Sequence, residues 1–492
     1  MPSSSAPRPP SRGRRVPAAR AGFALLAAAL CASACTGGHP GPQPPAAIAT
    51  QEFTPGARTP PPTDPGDWLT YHHDAQRTGS APGVPPPSAL ARAWATRLDG
   101  AVYGQPLVVR GSVIAATEND SVYRLDLASG RILWRAHLGT PAPLHTLPCG
   151  DIDPLGITST PVYEPTTGLV FVLAELDGGR HLLAGLDPAS GTVRVRREVE
   201  PPHGDPGVHQ QRGALATVDG RVLVGFGGLE GDCGDYVGAL VSVAATGAGP
   251  VLSYAVPTSR QAGIWAPGGA VVTPAAAGAG NGAGPKILVS VGNGAATGGG
   301  AGGYDGSDSV LALAPSTLTR TDFFAPATWA ADNAADLDLG SLTPALVGDR
   351  FVLAVGKRGT GYTLDRGHLG GVGGELHQAP LCSAYGSAAV TEGTVFLPCA
   401  DAVQRVDLDA SGMPRTGWSF PLRAAGSPVL GGGAVWVPDC ATGTLFALDQ
   451  ATGRVLARAT TEGPLPHFAS PVLTGGRVLL GTGDGVVAFS GA

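Results

Sequence analysis

One stretch of the sequence, GKRGTGYTLDRG at residues 356–367, places a lysine between glycines, ahead of Tyr362 and Asp365. Lys357 is one of only two lysines in the chain, because arginine supplies nearly all of the basic residues. Two interpretations are open: its ammonium group meets a bound cofactor, or it is a charge on the turn of a repeated hairpin. The preference for arginine also suits GC-rich codon usage, so the rarity of lysine alone does not favour the first interpretation.

Several common catalytic motifs are missing from the sequence. No G-x-S-x-G or H-E-x-x-H occurs, so serine-hydrolase and zinc-protease chemistry have no starting point. No cysteines form C-x-x-C or C-x-x-C-H, which argues against zinc-knuckle, thioredoxin-type and c-type haem sites. The acidic stretch DLDLG at 336–340 lacks the third acid and the distal Glu of an EF-hand. The pair His72-His73 is explained more simply by packing or by a position at the surface than by metal binding.

Composition narrows the class of protein. The formal net charge is −6 and no basic stripe occurs, so nucleic acid is not an expected partner. Glycine (75 residues) and proline (46 residues) are abundant, yet valine, leucine and alanine alternate with small residues along most of the chain. Disordered chains lack such a pattern. The composition therefore indicates strands joined by tight turns.

One structural unit recurs from about residue 100 to the end of the chain. A small polar residue and often a proline lead into an apolar strand, a glycine turn and a second strand. A third strand follows, and then an Asp-x-x-[Ser/Thr]-Gly turn precedes the fourth. In that turn the Asp carboxylate accepts backbone N–H groups and the Gly supplies positive φ. Clear copies of the turn are YRLDLASGRILW (123–134), AGLDPASGTVRV (184–195) and FALDQATGRVLA (446–457).

The number of units predicts a closed ring. About seven full units occur, and the last segment, VLLGTGDGVVAFSGA (478–492), stops one strand short. The segment ARAWATRLDG (91–100) precedes the first unit and can supply the missing strand. We therefore predict an all-β, eight-bladed β-propeller of four-stranded antiparallel blades over residues 67–492, closed by an N-terminal strand.

The N-terminal residues have the pattern of an export signal. Arginines precede the apolar run GFALLAAAL (22–30), which is too short to span a bilayer and is followed by CASAC. This resembles a bacterial lipoprotein signal, which predicts a signal peptide over 1–35 and lipidation of Cys35. Ordinary cleavage and secretion is the alternative. The proline-rich residues 36–66 are predicted to be a tether that holds the propeller outside the cell membrane.

Three features together resemble the PQQ-like β-propeller family. These are DWLTYHHDAQRTG (67–79), the Asp-x-x-[Ser/Thr]-Gly-x-x-x-Trp turns and the eight-unit count. The family contains quinoprotein dehydrogenases, which bind pyrroloquinoline quinone (PQQ), and non-enzymatic lipoproteins such as the barrel-assembly factor BamB. The resemblance spans about residues 66–492. It implies the fold, but the repeats are shared by both branches.

The resemblance implies a set of site residues. In the quinoprotein branch, Trp265 of QAGIWAPGGA takes the place of the floor under the cofactor ring, and Lys357 takes the place of the cation that meets the quinone oxygens. Glu230 of GFGGLEGDCGDY and Asn293 of VSVGNGAATGG take the places of the calcium ligands. Both are oxygen donors suited to calcium.

Each of these residues also has a purely structural explanation. A tryptophan commonly packs between blades, and Glu230 lies in an acidic glycine-rich loop that suits a solvated surface. Asn293 lies between glycines and suits a left-handed turn position. Lys357 suits an ion pair with Asp336 or Asp338 of a neighbouring blade.

The chain departs from the dehydrogenase pattern at the general base. That branch has an Asp ahead of a Trp-Asp-x-Asp sequence, whereas this chain reads WAADNAADLDLGS at 329–341. Asp336 and Asp338 match the later acids, and Asn333 occupies the base position. An amide cannot take a proton from an alcohol. Asp332 is adjacent and would substitute only if the loop shifts.

The cysteines show a second departure. The vicinal Cys-Cys pair of the dehydrogenase branch is expected near LPCGDIDPLG (147–156), where only Cys149 is present. We predict disulfides between Cys382 and Cys399 and between Cys149 and Cys233, which leaves Cys440 free. A Cys399–Cys440 bridge between adjacent blades is the alternative.

These observations lead to two functional hypotheses. The first is an exported, membrane-tethered, non-catalytic binding or scaffold module of the BamB-like branch, with a site for a partner protein or small ligand on one propeller face. The alternative is a PQQ- and calcium-dependent quinoprotein dehydrogenase of small alcohols or sugars. Asn333 at the base position and the missing cysteine pair favour the first hypothesis.

Overall fold

The computed structural model of the protein describes residues 47–55, 63–275, 284–299 and 303–491. The predicted signal peptide, Cys35 and much of the proline-rich segment lie outside these ranges. Among the residues described, no helix combines the length and the apolar character needed to cross a bilayer.

The described ranges form eight antiparallel sheets arranged as consecutive blades, which confirms the predicted eight-bladed propeller. Blades 1 to 4 contain these strands: β2 (Leu107–Val109), β3 (Ser112–Ala116), β4 (Ser121–Asp126) and β5 (Ile132–His137); β6 (Val162–Glu164), β7 (Leu169–Leu176), β8 (Arg180–Leu186) and β9 (Val193–Glu198); β11 (Ala216–Val218), β12 (Arg221–Gly228), β13 (Ala239–Ala244) and β14 (Leu252–Ala255); β15 (Val271–Val272), β16 (Ile287–Val291), β17 (Ser309–Leu313) and β18 (Arg320–Ala325). Blades 5 to 8 contain these strands: β19 (Ala345–Val347), β20 (Phe351–Val355), β21 (Thr360–Asp365) and β23 (His377–Pro380); β24 (Ala389–Thr391), β25 (Thr394–Pro398), β26 (Ala402–Leu408) and β27 (Pro414–Pro421); β28 (Val429–Gly431), β29 (Ala434–Asp439), β30 (Thr444–Asp449) and β31 (Val455–Thr460); β32 (Val472–Thr474), β33 (Arg477–Thr482), β34 (Gly485–Ser490) and β1 (Ala91–Arg97).

A few short elements supplement the blades. Strand β10 (His209–Gln210) pairs with the end of β12, and β22 (Gly371–Val372) pairs in parallel with β18. The helix α1 (Trp329–Ala335) lies between blades 4 and 5. Turns of 3-10 helix occupy Leu144–Thr146, Pro206–Val208 and Leu339–Ser341.

Strand β1 closes the ring as predicted. It runs antiparallel to β34, with Ala91 opposite Ser490 and Arg97 opposite Gly485. The eighth blade therefore combines three strands from the end of the chain with one strand that precedes the first blade.

The predicted turn chemistry positions neighbouring blades. In blade 1, Asp126 Oδ1 accepts the backbone N–H of Ser129 at 2.9 Å, and Gly130 has a φ of 72°. Trp94 on the outer strand of blade 8 donates its indole N–H to Leu127 O of that turn at 3.0 Å. The same contact recurs between Trp134 and Pro188 O and between Trp418 and Gln450 O. Each tryptophan therefore attaches the outer edge of one blade to the turn of the next.

The hydrophobic core lies between the blades. Buried side chains of each blade pack against those of the next, as Ile114 of blade 1 packs with Val170 of blade 2. The fourth strand of a blade is its most exposed, and β31 alternates exposed with half-buried side chains. This distribution suits a ring in which the faces of each blade are buried against the neighbouring blades and the outer strand of each blade is exposed to solvent.

Residues 67–81 occupy the centre of the ring. Trp68 is fully buried and its indole N–H donates to Gln105 Oε1 at 3.0 Å. Arg77 is also buried and donates to Leu215 O in blade 3 and to Ala270 O at blade 4. His72 is fully buried, which confirms that it packs.

Part of the predicted tether contacts the propeller. Gln51 and Arg196 exchange backbone hydrogen bonds of 2.9 and 3.0 Å on the outer strand of blade 2. Phe53 N donates to Thr246 O, and the guanidinium of Arg194 lies 5.2 Å from the centre of the Phe53 ring. Residues 47–55 are thus held against the outside of blades 2 and 3.

Candidate functional site

A cavity of about 610 Å³ lies among the loops at one end of the blades. The loops that join consecutive blades and those between second and third strands of a blade contribute its walls. Its volume falls in the range that suits small-molecule ligands. The side chains that the next paragraphs use all line it.

The structure brings the four predicted site residues together in this cavity. Glu230 follows β12, Trp265 follows β14, Asn293 follows β16 and Lys357 follows β20, and all four line the cavity. Four different loops are therefore needed to assemble the set. Glu230 is exposed, so its carboxylate faces solvent rather than the protein core.

Lys357 forms the ion pair that its structural explanation predicted. Its Nζ atom lies 2.6 Å from Asp338 Oδ2 and 2.9 Å from Asp336 Oδ1. Although partial burial opposes the charge, the two carboxylates raise the pKa of Lys357 above its usual range. Burial raises the pKa of Asp338, and the ammonium group of Lys357 counteracts this. Lys357 therefore remains a cation at the cavity wall.

Asn293 holds both of these carboxylates. Its backbone N–H donates to Asp338 Oδ1 at 2.6 Å, and its Nδ2 donates to Asp336 Oδ1 at 2.7 Å. The backbone of Asn293 does not have positive φ, so the left-handed interpretation was wrong. Its Oδ1 is buried and has no hydrogen-bond partner among the described residues. A buried acceptor without a partner is costly, so this oxygen is available to a ligand or cation.

Asp336 lines the cavity and has one carboxylate oxygen without a donor among the described residues. Its Oδ1 accepts both Asn293 Nδ2 and Lys357 Nζ, whereas no described residue donates to its Oδ2. The side chain is 72% exposed. Asp336 ends helix α1 in a left-handed conformation with a φ of 54°, which turns the chain toward the cavity. The carboxylate is thus oriented by two donors and open on one side.

Asn333, which the family resemblance places at the base position, and the adjacent Asp332 do not line the cavity. Asn333 Oδ1 accepts the N–H of Gly294 at 2.7 Å, and its Nδ2 donates to Ala296 O at 2.6 Å. Asp332 is buried and forms an ion pair with Arg358. The Asn333 side chain therefore stabilises the loop that follows Asn293, and the Asp332 carboxylate is neutralised by Arg358.

Aromatic side chains that the sequence analysis did not single out form much of the cavity wall. The Phe468 ring lies 6.4 Å from the Trp265 ring and 6.3 Å from that of Tyr385, measured between centroids. The Arg212 guanidinium lies 5.4 Å from the Phe468 centroid and 5.7 Å from the Tyr103 centroid. These residues lie in loops between blades, where no repeated pattern marks them.

Both predicted disulfides are present. Cys149–Cys233 joins a loop that carries Asp151 to a loop that carries Asp232, and both acids line the cavity. Cys382–Cys399 is the second bridge, and Cys440 is free and buried, so the alternative pairing was wrong. Two disulfides are typical of proteins outside the reducing cytosol, which supports an extracytoplasmic location.

A group of buried acids lies next to this wall. Glu118 Oε2 accepts Gly156 N at 2.8 Å, and the Glu118 charge contributes, after burial, to a raised pKa of Tyr103. Burial raises the pKa of Glu118 to about 7. Asp120 is fully buried, and neither of its carboxylate oxygens has a partner among the described residues. Burial, with the charges of Glu118 and Glu175, raises its pKa to about 9.

Comparison with known proteins supports the PQQ-like assignment. The family model of the outer membrane protein assembly factor BamB matches residues 91–280. A 1-butanol dehydrogenase (cytochrome c) from Thauera butanivorans is 29% identical over 192 residues, which cover 38% of this chain and 26% of that protein. The match thus spans about a quarter of the length of this curated relative. The resemblance to PQQ-like propellers is confirmed.

Solved structures share the propeller fold. The quinohemoprotein alcohol dehydrogenase of Comamonas testosteroni aligns with a TM-score of 0.65 at 16% identity, over 86% of this chain and 80% of that chain. A europium-containing methanol dehydrogenase aligns with a TM-score of 0.66 at 15% identity, over 87% and 98% of the two chains. BamB from Moraxella catarrhalis aligns with a TM-score of 0.53 at 16% identity, over 82% of this chain and 97% of that chain. At these identities the likeness concerns the fold.

Proposed function

We propose that the protein is a PQQ- and calcium-dependent quinoprotein dehydrogenase that oxidises small alcohols or sugars. One observation carries the proposal. Trp265, Lys357, Glu230 and Asn293 line a single cavity, and Asp336 adds a carboxylate with a free oxygen beside Lys357. The relationship to a 1-butanol dehydrogenase and the fold shared with alcohol and methanol dehydrogenases support the same reaction class.

The cavity residues fit the quinone. PQQ is planar and carries carboxylates and quinone oxygens, so it needs a flat apolar surface and cations. The indole of Trp265 offers the surface, and Lys357 and Arg212 offer positive charge on the cavity wall. Burial lowers the pKa of Arg212, but a guanidinium keeps its charge near neutral pH. PQQ would be held by stacking and by charge-assisted hydrogen bonds.

A hard cation also fits the donors. Asn293 Oδ1 is a buried acceptor without a protein partner, and the Glu230 carboxylate is exposed to the cavity. No three His, Cys, Asp or Glu side chains of the described part of the chain lie close enough to hold a metal by themselves. Calcium held by Glu230 and Asn293 would therefore need oxygens from the quinone as well. When bound, the ion and the quinone supply the Lewis acid and the electron acceptor of the reaction.

Asp336 is the side chain placed to take the proton of an alcohol. Its Oδ1 is fixed by Lys357 and Asn293, and its Oδ2 is open toward the cavity. General-base catalysis requires such a positioned acceptor within hydrogen-bond reach of the substrate. This assignment removes the objection raised by Asn333, because the amide has a structural role elsewhere.

A non-catalytic binding module remains the second candidate. The match of residues 91–280 to the BamB family model favours it, because that family is named for an assembly factor. In this case the cavity face would bind a partner protein or a small ligand. With either function, we propose export and attachment to the cell membrane through lipid on Cys35.

A titration with PQQ tests the proposal. The purified protein is titrated with PQQ, with and without calcium, while tryptophan fluorescence is followed. Saturable, calcium-dependent quenching that disappears in Trp265→Ala and persists in Trp418→Ala is the expected result, because Trp418 lies between blades away from the cavity. Dye-linked oxidation of short alcohols should then be detectable. No quenching up to roughly millimolar PQQ, about −4 kcal/mol, would reject the quinoprotein function and favour the binding module.

A further inference from the structure

A disulfide joins two loops of the cavity wall that belong to different blades. Cys149 lies in the connection between blades 1 and 2, whereas Cys233 lies in the loop between β12 and β13 of blade 3. The two cysteines are separated by 84 positions in the sequence. Glu230, which lines the cavity, belongs to the same loop as Cys233. The bridge is therefore a covalent link between a blade connection and the loop that presents a proposed cation ligand.

The loop that carries Cys149 is well anchored. Ala142 and Leu155 exchange backbone hydrogen bonds of 2.9 and 2.8 Å, which close the base of this loop. Within it, Leu144 N donates to Asp153 Oδ1 at 3.1 Å. The Cys149 loop thus offers a fixed support to any segment that is attached to it.

The loop that carries Glu230 is held at its two ends. At the start, Leu229 is buried and its N–H donates to Val208 O at 3.3 Å. Toward the end, the Arg260 guanidinium donates to Asp232 O at 2.7 Å and to Gly234 O at 2.9 Å. The intervening stretch, with Glu230, lies between these two anchors.

The middle of this loop rests on the disulfide. A Cβ atom built on Gly231 would lie 3.5 Å from Cys149 Sγ, so the backbone next to Glu230 is close to the bridge itself. Gly231 has a φ of 93°, which leaves the chain free to change direction here when its support is removed. No backbone hydrogen bond of the described residues joins the two loops. Apolar packing and the disulfide therefore hold them together.

We infer that the Cys149–Cys233 disulfide positions the Glu230 carboxylate for the cation of the cavity, so that the bridge sets the calcium affinity of the site. The inference rests on the proposed function. A carboxylate on an unsupported loop must be ordered when the cation binds, and this ordering costs free energy. Groups that hold a metal ligand in place affect the metal affinity strongly for the same reason. The other bridge, Cys382–Cys399, contains no residue of the Glu230 loop.

Removal of the bridge tests the inference through the calcium dependence of PQQ binding, measured by calorimetry. Cys149→Ser combined with Cys233→Ser should raise the calcium concentration needed for half-maximal PQQ binding by about 10-fold or more. At saturating calcium the PQQ affinity should return to within about threefold of the original value, because excess ligand fills the weakened site. General loosening of the fold would instead weaken PQQ binding at every calcium concentration. Thermal unfolding without ligand records the loss of stability separately.

A double-mutant cycle shows whether the bridge acts through Glu230. Glu230→Gln should raise the calcium requirement strongly when the bridge is intact and much less when it is absent, because the two changes remove the same interaction. Asp235→Asn is the matched control. Asp235 lies on the same loop, its side chain is 99% exposed, and it is not among the residues that line the cavity. Its substitution should leave the calcium requirement unchanged with and without the bridge.

A dithiol can open the bridge without any substitution, which provides a second test if the double cysteine variant does not fold. The Sγ–Sγ bond is reduced to two thiols while the dithiol is oxidised to a cyclic disulfide. Cys149 and Cys233 are both half-buried, whereas Cys399 is only 2% exposed, and peptide mass mapping identifies the bridge that has opened. Opening should raise the calcium requirement, and reoxidation should restore it.

The possible outcomes separate this inference from the proposed function. If the original protein binds PQQ with calcium and loss of the bridge does not raise the calcium requirement, the positioning role is overturned while the proposed function stands. Equal effects of Glu230→Gln with and without the bridge would also overturn it. If the original protein shows no calcium-dependent binding of PQQ, the proposed function and the inference are both rejected.

Discussion

The Nζ atom of Lys357 lies 2.6 Å from Oδ2 of Asp338, and the Asp338 side chain is only 11% exposed. The ion pair joins the loop after β20 to the segment after helix α1, so it links blade 5 to the connection between blades 4 and 5 at the cavity wall. Removing one member of such a pair leaves a largely buried charge without its partner, which is more damaging than removing both.

Replacement of Lys357 by methionine should therefore destabilise the protein by about 2–4 kcal/mol near neutral pH, measured by chemical denaturation. The loss should shrink as the pH falls, because burial then raises the pKa of Asp338 against the hydrogen bond from Asn293 N alone, and protonation removes the unpaired charge. Lys357→Met combined with Asp338→Asn should recover much of the lost stability. The chain offers a direct control in Lys286→Met, since Lys286 is its other lysine. Equal losses from the two lysine substitutions would contradict the importance of the pair.

Asp336→Asn should abolish alcohol oxidation while PQQ binding and stability stay close to those of the original protein. The amide keeps an oxygen for Lys357 and Asn293, but it cannot accept a proton, and a loss of about 10²–10⁴ in kcat is expected. Asn333→Ala should have the opposite effect, with a loss of stability that is larger than its loss of alcohol oxidation. It removes the hydrogen bonds to Gly294 N and Ala296 O and should lower stability, with a smaller effect on kcat. Normal turnover by Asp336→Asn would exclude Asp336 as the base.

The buried acids should make the folded state less stable at high pH. Burial raises the pKa values of Glu118 to about 7 and of Asp120 to about 9, so the folded chain binds these protons more tightly than the unfolded chain. The stabilisation of the folded state by these two protonated carboxyl groups is therefore fully present at low pH, and it is lost as the pH rises toward about 9.

Asp120→Asn should flatten this pH dependence and raise stability at pH 8 by at least about 1 kcal/mol. Asparagine tolerates the left-handed backbone of this residue, which has a φ of 52°. Asp349→Asn, at an exposed turn, is the matched control and should leave the profile of unfolding free energy against pH unchanged. A parallel shift of both profiles would argue against a specific role for Asp120.

Cys440 should be unreactive in the folded protein. Its side chain is buried, and burial raises the pKa of the thiol to about 12, so little thiolate forms at pH 8. Peptide mass mapping after alkylation should find Cys440 unmodified in native protein and modified in denaturant without reductant. Cys149, Cys233, Cys382 and Cys399 should be modified only after reduction. Labelling of Cys382 without reductant would contradict its pairing with Cys399.

The fold could be predicted from the sequence because its repeats are local. An Asp and a Gly placed four residues apart specify a turn such as Asp126–Gly130, and repetition of the turn sets the blades. The strand that closes the ring was predictable because the last unit lacked one. The attachment of residues 47–55 was missed, since the density of proline concealed the apolar contact made by Phe53.

The site was predictable only where family motifs mark single residues. Trp265 and Lys357 each follow such a motif, and the structure places both at the cavity. Phe468 and Arg212 were missed because blade-connecting loops have no shared pattern and the positive φ of Phe468 cannot be inferred from its neighbours. The sequence marked Asp336 only as one of the later acids of the motif, for a related reason. Only the end of helix α1 decides whether Asn333 or Asp336 turns toward the cavity.

The pairing of β1 with β34 has a consequence for the order of events during synthesis. Residue 91 emerges from the ribosome early, yet its strand has no partner until residue 490 has been made. Phe468, which lines the cavity, lies in the connection that leads into this last blade. Seven blades can form progressively as the chain lengthens, but the closed ring and its cavity can assemble only after translation of the final blade. A ribosome-bound chain that stops before β34 should therefore expose an unpaired β1 edge.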